Sequence, residues 1–198
     1  MSLDRFYPIF DGPDWLDRTL LLGVKLVQLR IKDAPEADLR RDIARARDLC
    51  RRHDAVLVVN DHWRIAIETG CDWVHLGQED LDEADIPAIR RAGLKLGIST
   101  HDHAELDRAL ALAPDYVALG PVYPTILKKM RWEQQGLDRV TEWKRLVGDV
   151  PLVAIGGMNV ERAAGAFAAG ADIVSAVTDI TLNDDPEGRV RQWIEATR

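Results

Sequence analysis

Eight short apolar runs, each followed by a segment of helical spacing, constrain this chain more than any other feature. The runs are "FYPIFD" (6–11), "KLVQLR" (25–30), "VLVVND" (56–61), "WVHLG" (73–77), "KLGIST" (95–100), "YVALG" (116–120), "LVAIGG" (152–157) and "IVSAV" (173–177). Each has the length of a strand rather than a helix. Between them, "EADLRRDIARARDLCRR" sets Leu39, Ile43, Ala46 and Leu49 on one stripe with Arg and Asp opposite. "HAELDRALALA" and "VERAAGAFAAG" repeat that pattern, with Asp102 and Asn159 placed to cap them. Strands that alternate with helices pair in parallel, because a parallel pair needs a crossover. Eight such units predict a single closed (β/α)8 TIM barrel over residues 1–198, at the short end of that fold's usual length. An open doubly wound sheet is the competing arrangement, but no run reads as an edge strand and all eight run ends look alike.

Composition narrows the partners. A hydrophobic fraction of 46% beside 30% charged residues is that of a folded globular chain with one core. The net charge of -7, with no basic tract to offset it, argues against nucleic acid and leaves room for an anionic small molecule held by local cations or a metal. Cys50 and Cys71 form no C-x-x-C and adjoin no His cluster, which speaks against zinc or redox chemistry and fits a reducing cytosol. The start "MSLDRFYPIF" has no signal-peptide pattern, and "AAGAFAAGADIVSAV" is broken by Gly and Asp well short of the roughly 20 apolar residues of a membrane span. The expectation is a cytoplasmic protein with no membrane partner; a homo-oligomer is left open.

The run ends carry the chemistry. Alternation in "KLVQLR" sends Val27 and Leu29 out to the helices and Gln28 and Arg30 inward, with Lys32 extending the cationic edge. "VLVVND" and "WVHLG" are then neighbouring strands about 4.8 Å apart, so Asn60, Asp61 and Asp80 converge at one rim. Two carboxylates on adjacent loops could share a cation, or could be unrelated loop acids paired with Arg64 or Arg30. Gly156 and Gly157 at the end of the seventh run, and Val177 and Thr178 at the end of the eighth, stand where such barrels often hold phosphate. The longest connection, 120–136, carries Thr125 and Lys128, and a lysine there could reach a phosphate or be merely solvated. His75 reads as a polar core histidine. Ser99 has no His and Asp at triad spacing and reads as a hydrogen-bond donor, not a nucleophile. The tryptophans, such as Trp63, Trp143 and Trp193, read as core and seam.

Taken together, "QLRIKD", "VVND", "VHLGQED", "GIST", "GPVYPTILKK", "QGLDRV" and "VAIGGMN" resemble the thiamine phosphate synthase family, in order, from about residue 6 to 190. The resemblance implies a (β/α)8 barrel that joins a hydroxymethylpyrimidine diphosphate to a thiazole phosphate, with or without a carboxylate, and requires Mg²⁺. Carried over by position, Gln28, Arg30 and Lys32 would bind the diphosphate with Asn60 and Lys128. Asp61 and Asp80 would hold Mg²⁺. Ser99 would contact the pyrimidine diphosphate, and Thr125, Gly157, Val177 and Thr178 the thiazole phosphate. Arg30, Lys32, Lys128 and Ser99 would act on the reacting groups. Leu127 replaces a hydroxyl common at its position, whereas Thr178 keeps one. Two other activities compete with that reading. A related thiazole tautomerase would need a histidine where Pro121 stands, and a non-catalytic thiamine-phosphate binder would not need the Asp61 and Asp80 pair.

Overall fold

In the computed structural model, which describes residues 3–125 and 132–198, eight parallel strands close on one another in sequence order. They are β1 (Phe6–Phe10), β2 (Leu26–Leu29), β3 (Val56–Asn60), β4 (Trp73–Leu76), β5 (Lys95–Thr100), β6 (Tyr116–Leu119), β7 (Leu152–Ala154) and β8 (Ile173–Ala176). The last pairs with the first, Tyr7 opposite Ser175. The helices are α1 (Pro13–Thr19), α2 (Glu36–Arg52), α3 (Trp63–Glu68), α4 (Ile86–Arg91), α5 (His103–Ala111), α6 (Gly136–Val147), α7 (Val160–Ala168), α8 (Thr178–Thr181) and α9 (Pro186–Thr197). This is the predicted barrel.

Two departures from the sequence reading have plain causes. The run 152–157 stops being a strand at Ala154, because Gly156 and Gly157 take φ of 93° and 62°, which no strand residue adopts. The four-residue α8 between β8 and α9 is too short to leave a periodic signature. The long helices follow their stripes. Leu39, Ile43, Ala46 and Leu49 of α2 are buried, and the Asp102 and Asn159 side chains accept from Glu105 and Arg162 N–H at 2.9 and 3.0 Å to cap α5 and α7.

Outward strand residues such as Val27, Leu29, Val74 and Val117 join the helices in one core, which also takes in Trp143 and Trp193. Trp63 is only partly buried against it. Inward residues stack in layers of four from alternate strands. At the N-terminal end Leu26, Trp73, Tyr116 and Ile173 fill the barrel, and Tyr7, Val58, Gly97 and Val153 lie above them. The third layer, Gln28, His75, Ala118 and Ser175, turns polar. The fourth is Ile9, Asn60, Ser99 and Ile155. Arg30, Gly77, Gly120 and Val177 stand at the C-terminal rim.

Candidate active site

The upper layers enclose a cavity of about 680 Å³ at the C-terminal mouth. All of the fourth layer and all of the rim line it, together with His75 and Ser175 from the third. The room comes partly from Gly77 and Gly120, which put no side chain where their neighbours place Arg30 and Val177. Arg30, Lys32, Asn60, Asp61, Asp80, Ser99, Thr125, Gly157, Val177 and Thr178 all line this one cavity. Lys128 and Leu127 lie outside the described residues. Gln28 stands apart from the lining: it is 2% exposed, one layer down, with its amide Nε2 donating to Tyr7 Oη at 2.9 Å.

Local chain chemistry aims the two carboxylates. Asp61 follows the last residue of β3 with φ of 61°, a left-handed turn that Asp tolerates better than most residues. Its N–H donates to His75 O at 2.9 Å, so the chain is still tied to β4 as it swings into α3. In "GQED" the Gly77 N–H donates to Asp80 Oδ2 at 3.1 Å, and a β-carbon at Gly77 would sit 2.9 Å from that oxygen. The turn therefore holds Asp80 over the rim. Burial, then the charge and hydrogen bond of neighbouring Asp80, push the Asp61 carboxyl up to about 6, with Lys32 pulling the other way. The two acids are neighbours in space, not unrelated loop residues.

That crowding fits a cation. Among the described residues no cluster of three or more His, Cys, Asp or Glu side chains could hold a metal. A pair of carboxylates suits an ion such as Mg²⁺, which keeps several waters and takes further ligands from substrate phosphates.

Opposite the acids, the loops after β6 and β7 interlock backbone to backbone. A β-carbon on Gly157 would lie 2.4 Å from Pro124 O, and one on Gly156 would lie 2.6 Å from Pro121 Cα. Arg162, stacked 4.4 Å over Tyr123, donates to Gly157 O and pins this edge. After β8, α8 begins at Thr178, and its Asp179 is gripped by Arg189 through two bonds of 2.8 and 2.9 Å and by Trp193 Nε1 at 2.8 Å.

The floor holds what sequence reasoning missed. His75 is the histidine that Ser99 lacked in sequence: its Nε2 lies 2.7 Å from Ser99 Oγ, brought there by the pairing of β4 with β5. The third member is the Tyr116 hydroxyl, 2.8 Å from His75 Nδ1, and not a carboxylate. Burial, with Arg30 nearby, pulls the His75 pKa down to about 4, so the ring is neutral and a weak base. Burial raises the Tyr7 and Tyr116 phenols, which stay protonated. Ser175, 1% exposed, faces the cavity with no hydrogen-bond partner for its Oγ among the described residues. Its inward position was readable from alternation in "IVSAV"; its isolation was not. At the side wall, the His101 ring lies parallel to that of Trp132 with centroids 5.6 Å apart.

The family model for thiamine monophosphate synthase matches residues 7–180, nearly the whole barrel. The chain belongs to this family. It is 61% identical over 197 residues to the thiamine-phosphate synthase of Rhizobium etli, covering 100% of this chain and 97% of that one. It is 47% identical over 189 residues to the thiamine-phosphate synthase of Cronobacter sakazakii, covering 96% and 90%. Among solved structures, a thiamine phosphate pyrophosphorylase from Pyrococcus furiosus superposes with a TM-score of 0.86 at 25% identity, over 98% of this chain and 95% of that one. Membership in the thiamine monophosphate synthase family makes the chain a transferase of thiamine biosynthesis. None of its described helices is long and apolar enough to cross a membrane.

Proposed function

We propose that the chain joins a hydroxymethylpyrimidine diphosphate to a thiazole phosphate, giving thiamine phosphate and diphosphate, with Mg²⁺ held by Asp61 and Asp80. One observation carries this reading: Asp61, whose ionisation is opposed by burial and by neighbouring Asp80, shares a single cavity with Asp80, Arg30 and Lys32. A carboxyl crowded by a second one, with Arg30 and Lys32 lining the same cavity, describes a seat for a metal diphosphate better than for a neutral ligand. Bound Mg²⁺ would supply charge neutralisation for the leaving diphosphate.

The chain's own residues do the rest. Arg30 and Lys32 stabilise the negative charge that grows on the diphosphate as its C–O bond breaks. Asn60 and Ser99 orient the pyrimidine half from the cavity floor. The electron-rich aminopyrimidine carries the matching positive charge until the thiazole nitrogen attacks. Thr125, Gly157, Val177 and Thr178 hold the thiazole phosphate at the opposite rim, so that the nitrogen and carbon meet in line. No protein nucleophile enters, in keeping with a Ser99 whose histidine is a weak base and has no carboxylate behind it.

The test is direct. Purified protein incubated with both phosphorylated halves and Mg²⁺ should yield thiamine phosphate by mass spectrometry, and chelation should stop it. No product with both halves present would overturn the assignment.

A further inference from the structure

The polar residues beneath the cavity form one unbroken chain. Gln28 Nε2 donates to Tyr7 Oη at 2.9 Å, Tyr7 Oη lies 2.9 Å from Tyr116 Oη, and Tyr116 Oη lies 2.8 Å from His75 Nδ1. His75 Nε2 then lies 2.7 Å from Ser99 Oγ. Tyr7, Tyr116 and Gln28 are at most 2% exposed, and none of them lines the cavity; only His75 and Ser99 do. The Tyr116 ring is immobilised by its neighbours, stacked on His75 with centroids 5.6 Å apart and edge-on to Tyr7 at 5.9 Å.

Each phenol has a single proton, and a neutral imidazole has one N–H and one acceptor nitrogen. With every proton of the chain used in a bond, the direction of the first bond sets all the others. An amide NH₂ can only donate. Tyr7 accepts it, and Tyr116 is the acceptor left for its own proton among the described residues. Tyr116 gives its proton to His75 Nδ1, which places the imidazole proton on Nε2. That N–H donates to Ser99 Oγ, and the Ser99 proton is left to point into the cavity.

We infer that Gln28 is a positioning residue, whose amide sets the polarity of a buried relay through Tyr7, Tyr116 and His75 and thereby makes Ser99 an obligate hydrogen-bond donor to the ligand. The inference deepens the function proposed above and rests on it for the identity of the ligand, the pyrimidine diphosphate. An acceptor atom on the buried end of that ligand is matched by Ser99, and a donor there is rejected. Buried sites that pair with a specific polar group discriminate strongly, because a mismatch leaves both partners unsatisfied.

The decisive measurement is the His75 tautomer in the ligand-free protein, read by nitrogen NMR on isotope-labelled histidine and identified by loss of its signals in His75→Asn. The wild type should show the proton on Nε2. Gln28→Glu, whose carboxylate can only accept, should reverse the chain and move the proton to Nδ1. Tyr7→Phe cuts the relay at a residue that does not line the cavity; it should leave a mixture of tautomers and lower kcat/KM for the pyrimidine diphosphate by about tenfold, the loss of one well-placed hydrogen bond, with the KM for thiazole phosphate unchanged. A wild-type proton on Nδ1 overturns the inference. So does a Tyr7→Phe protein with an unaltered tautomer and unaltered kcat/KM. Should Gln28→Glu fail to fold, the wild-type tautomer and the Tyr7→Phe pair decide alone. The tautomer is measured without substrate, so absence of thiamine phosphate synthesis would sink the functional assignment while leaving the relay standing.

Discussion

Gly97 exists for Tyr116. A β-carbon at Gly97 would lie 2.0 Å from Tyr116 Cζ and 2.4 Å from its hydroxyl, so the ring occupies the place a side chain would take in the second layer of the barrel. Glycine in the middle of a strand costs conformational entropy and packs nothing, and here the return is a phenol threaded up the barrel axis to reach His75. Gly97→Ala should therefore destabilise the fold by roughly 1–3 kcal/mol, as overpacking of a rigid core does. Urea denaturation should show a lower midpoint with an unchanged slope; a midpoint equal to that of the wild type would mean the ring can move aside.

The Asp61 and Asp80 pair makes a prediction about pH with a definite sign. The folded Asp61 carboxyl titrates at about 6 against an ordinary 3.8, so between those values the folded protein holds a proton that the unfolded chain has released. Stability from this group is then lost as pH rises through that window, and stays lost above it. Cation binding requires the ionised form and should oppose the loss. The rise in Tm on adding Mg²⁺ should be small at pH 5 and grow as pH passes about 6. Asp61→Asn should raise the metal-free Tm at neutral pH, remove the Mg²⁺-dependent rise and abolish turnover. A Tm rise that survives the substitution would place the ion elsewhere.

Ser175 should behave oppositely in the free and the liganded protein. Its buried hydroxyl has no partner among the described residues, so Ser175→Ala removes an unsatisfied group and should leave the metal-free protein as stable or slightly more so. If the hydroxyl is there for substrate, KM for one of the two halves should rise by a few-fold to about tenfold. Equal stability with an unchanged KM for both halves would assign the residue to packing alone.

Arg189 should matter to the thiazole phosphate although it does not line the cavity. It closes a two-bonded pair with Asp179, one residue beyond Thr178, and also takes Glu161 at 2.8 and 3.0 Å, tying α8 to both α7 and α9. Arg189→Ala would leave the Asp179 carboxylate half-paired beside the rim that Thr178 lines. The expected result is a loss of roughly 1–3 kcal/mol of stability and a higher KM for thiazole phosphate than for the pyrimidine diphosphate. Arg189→Lys should rescue poorly, because an ammonium cannot make the two-pronged contact. Equal effects on both substrates would show that the pair only stabilises the fold.

Much of this molecule was legible in one dimension. Eight apolar runs with helical spacers determined the barrel, because parallel strands require crossovers and eight of them close. Alternation determined that Gln28, Arg30 and His75 point inward, since a pleated strand has a period of two and leaves no choice once one face is buried. Polar residues after runs of this kind located the rim that carries Asp61 and Asp80.

Tertiary structure alone decided what those residues do to one another. The stagger of a closed barrel sets which inward side chains share a level, and no local pattern encodes it. That stagger put His75 under Ser99, 24 residues away, and drew Tyr7 and Tyr116, 109 residues apart, into one hydrogen bond. It also sank Gln28 below the cavity that nearby Arg30 lines, where its amide donates to Tyr7. Burial and proximity then moved the protons, holding His75 neutral and Asp61 reluctant to ionise, because both effects depend on distances that exist only after the barrel has closed.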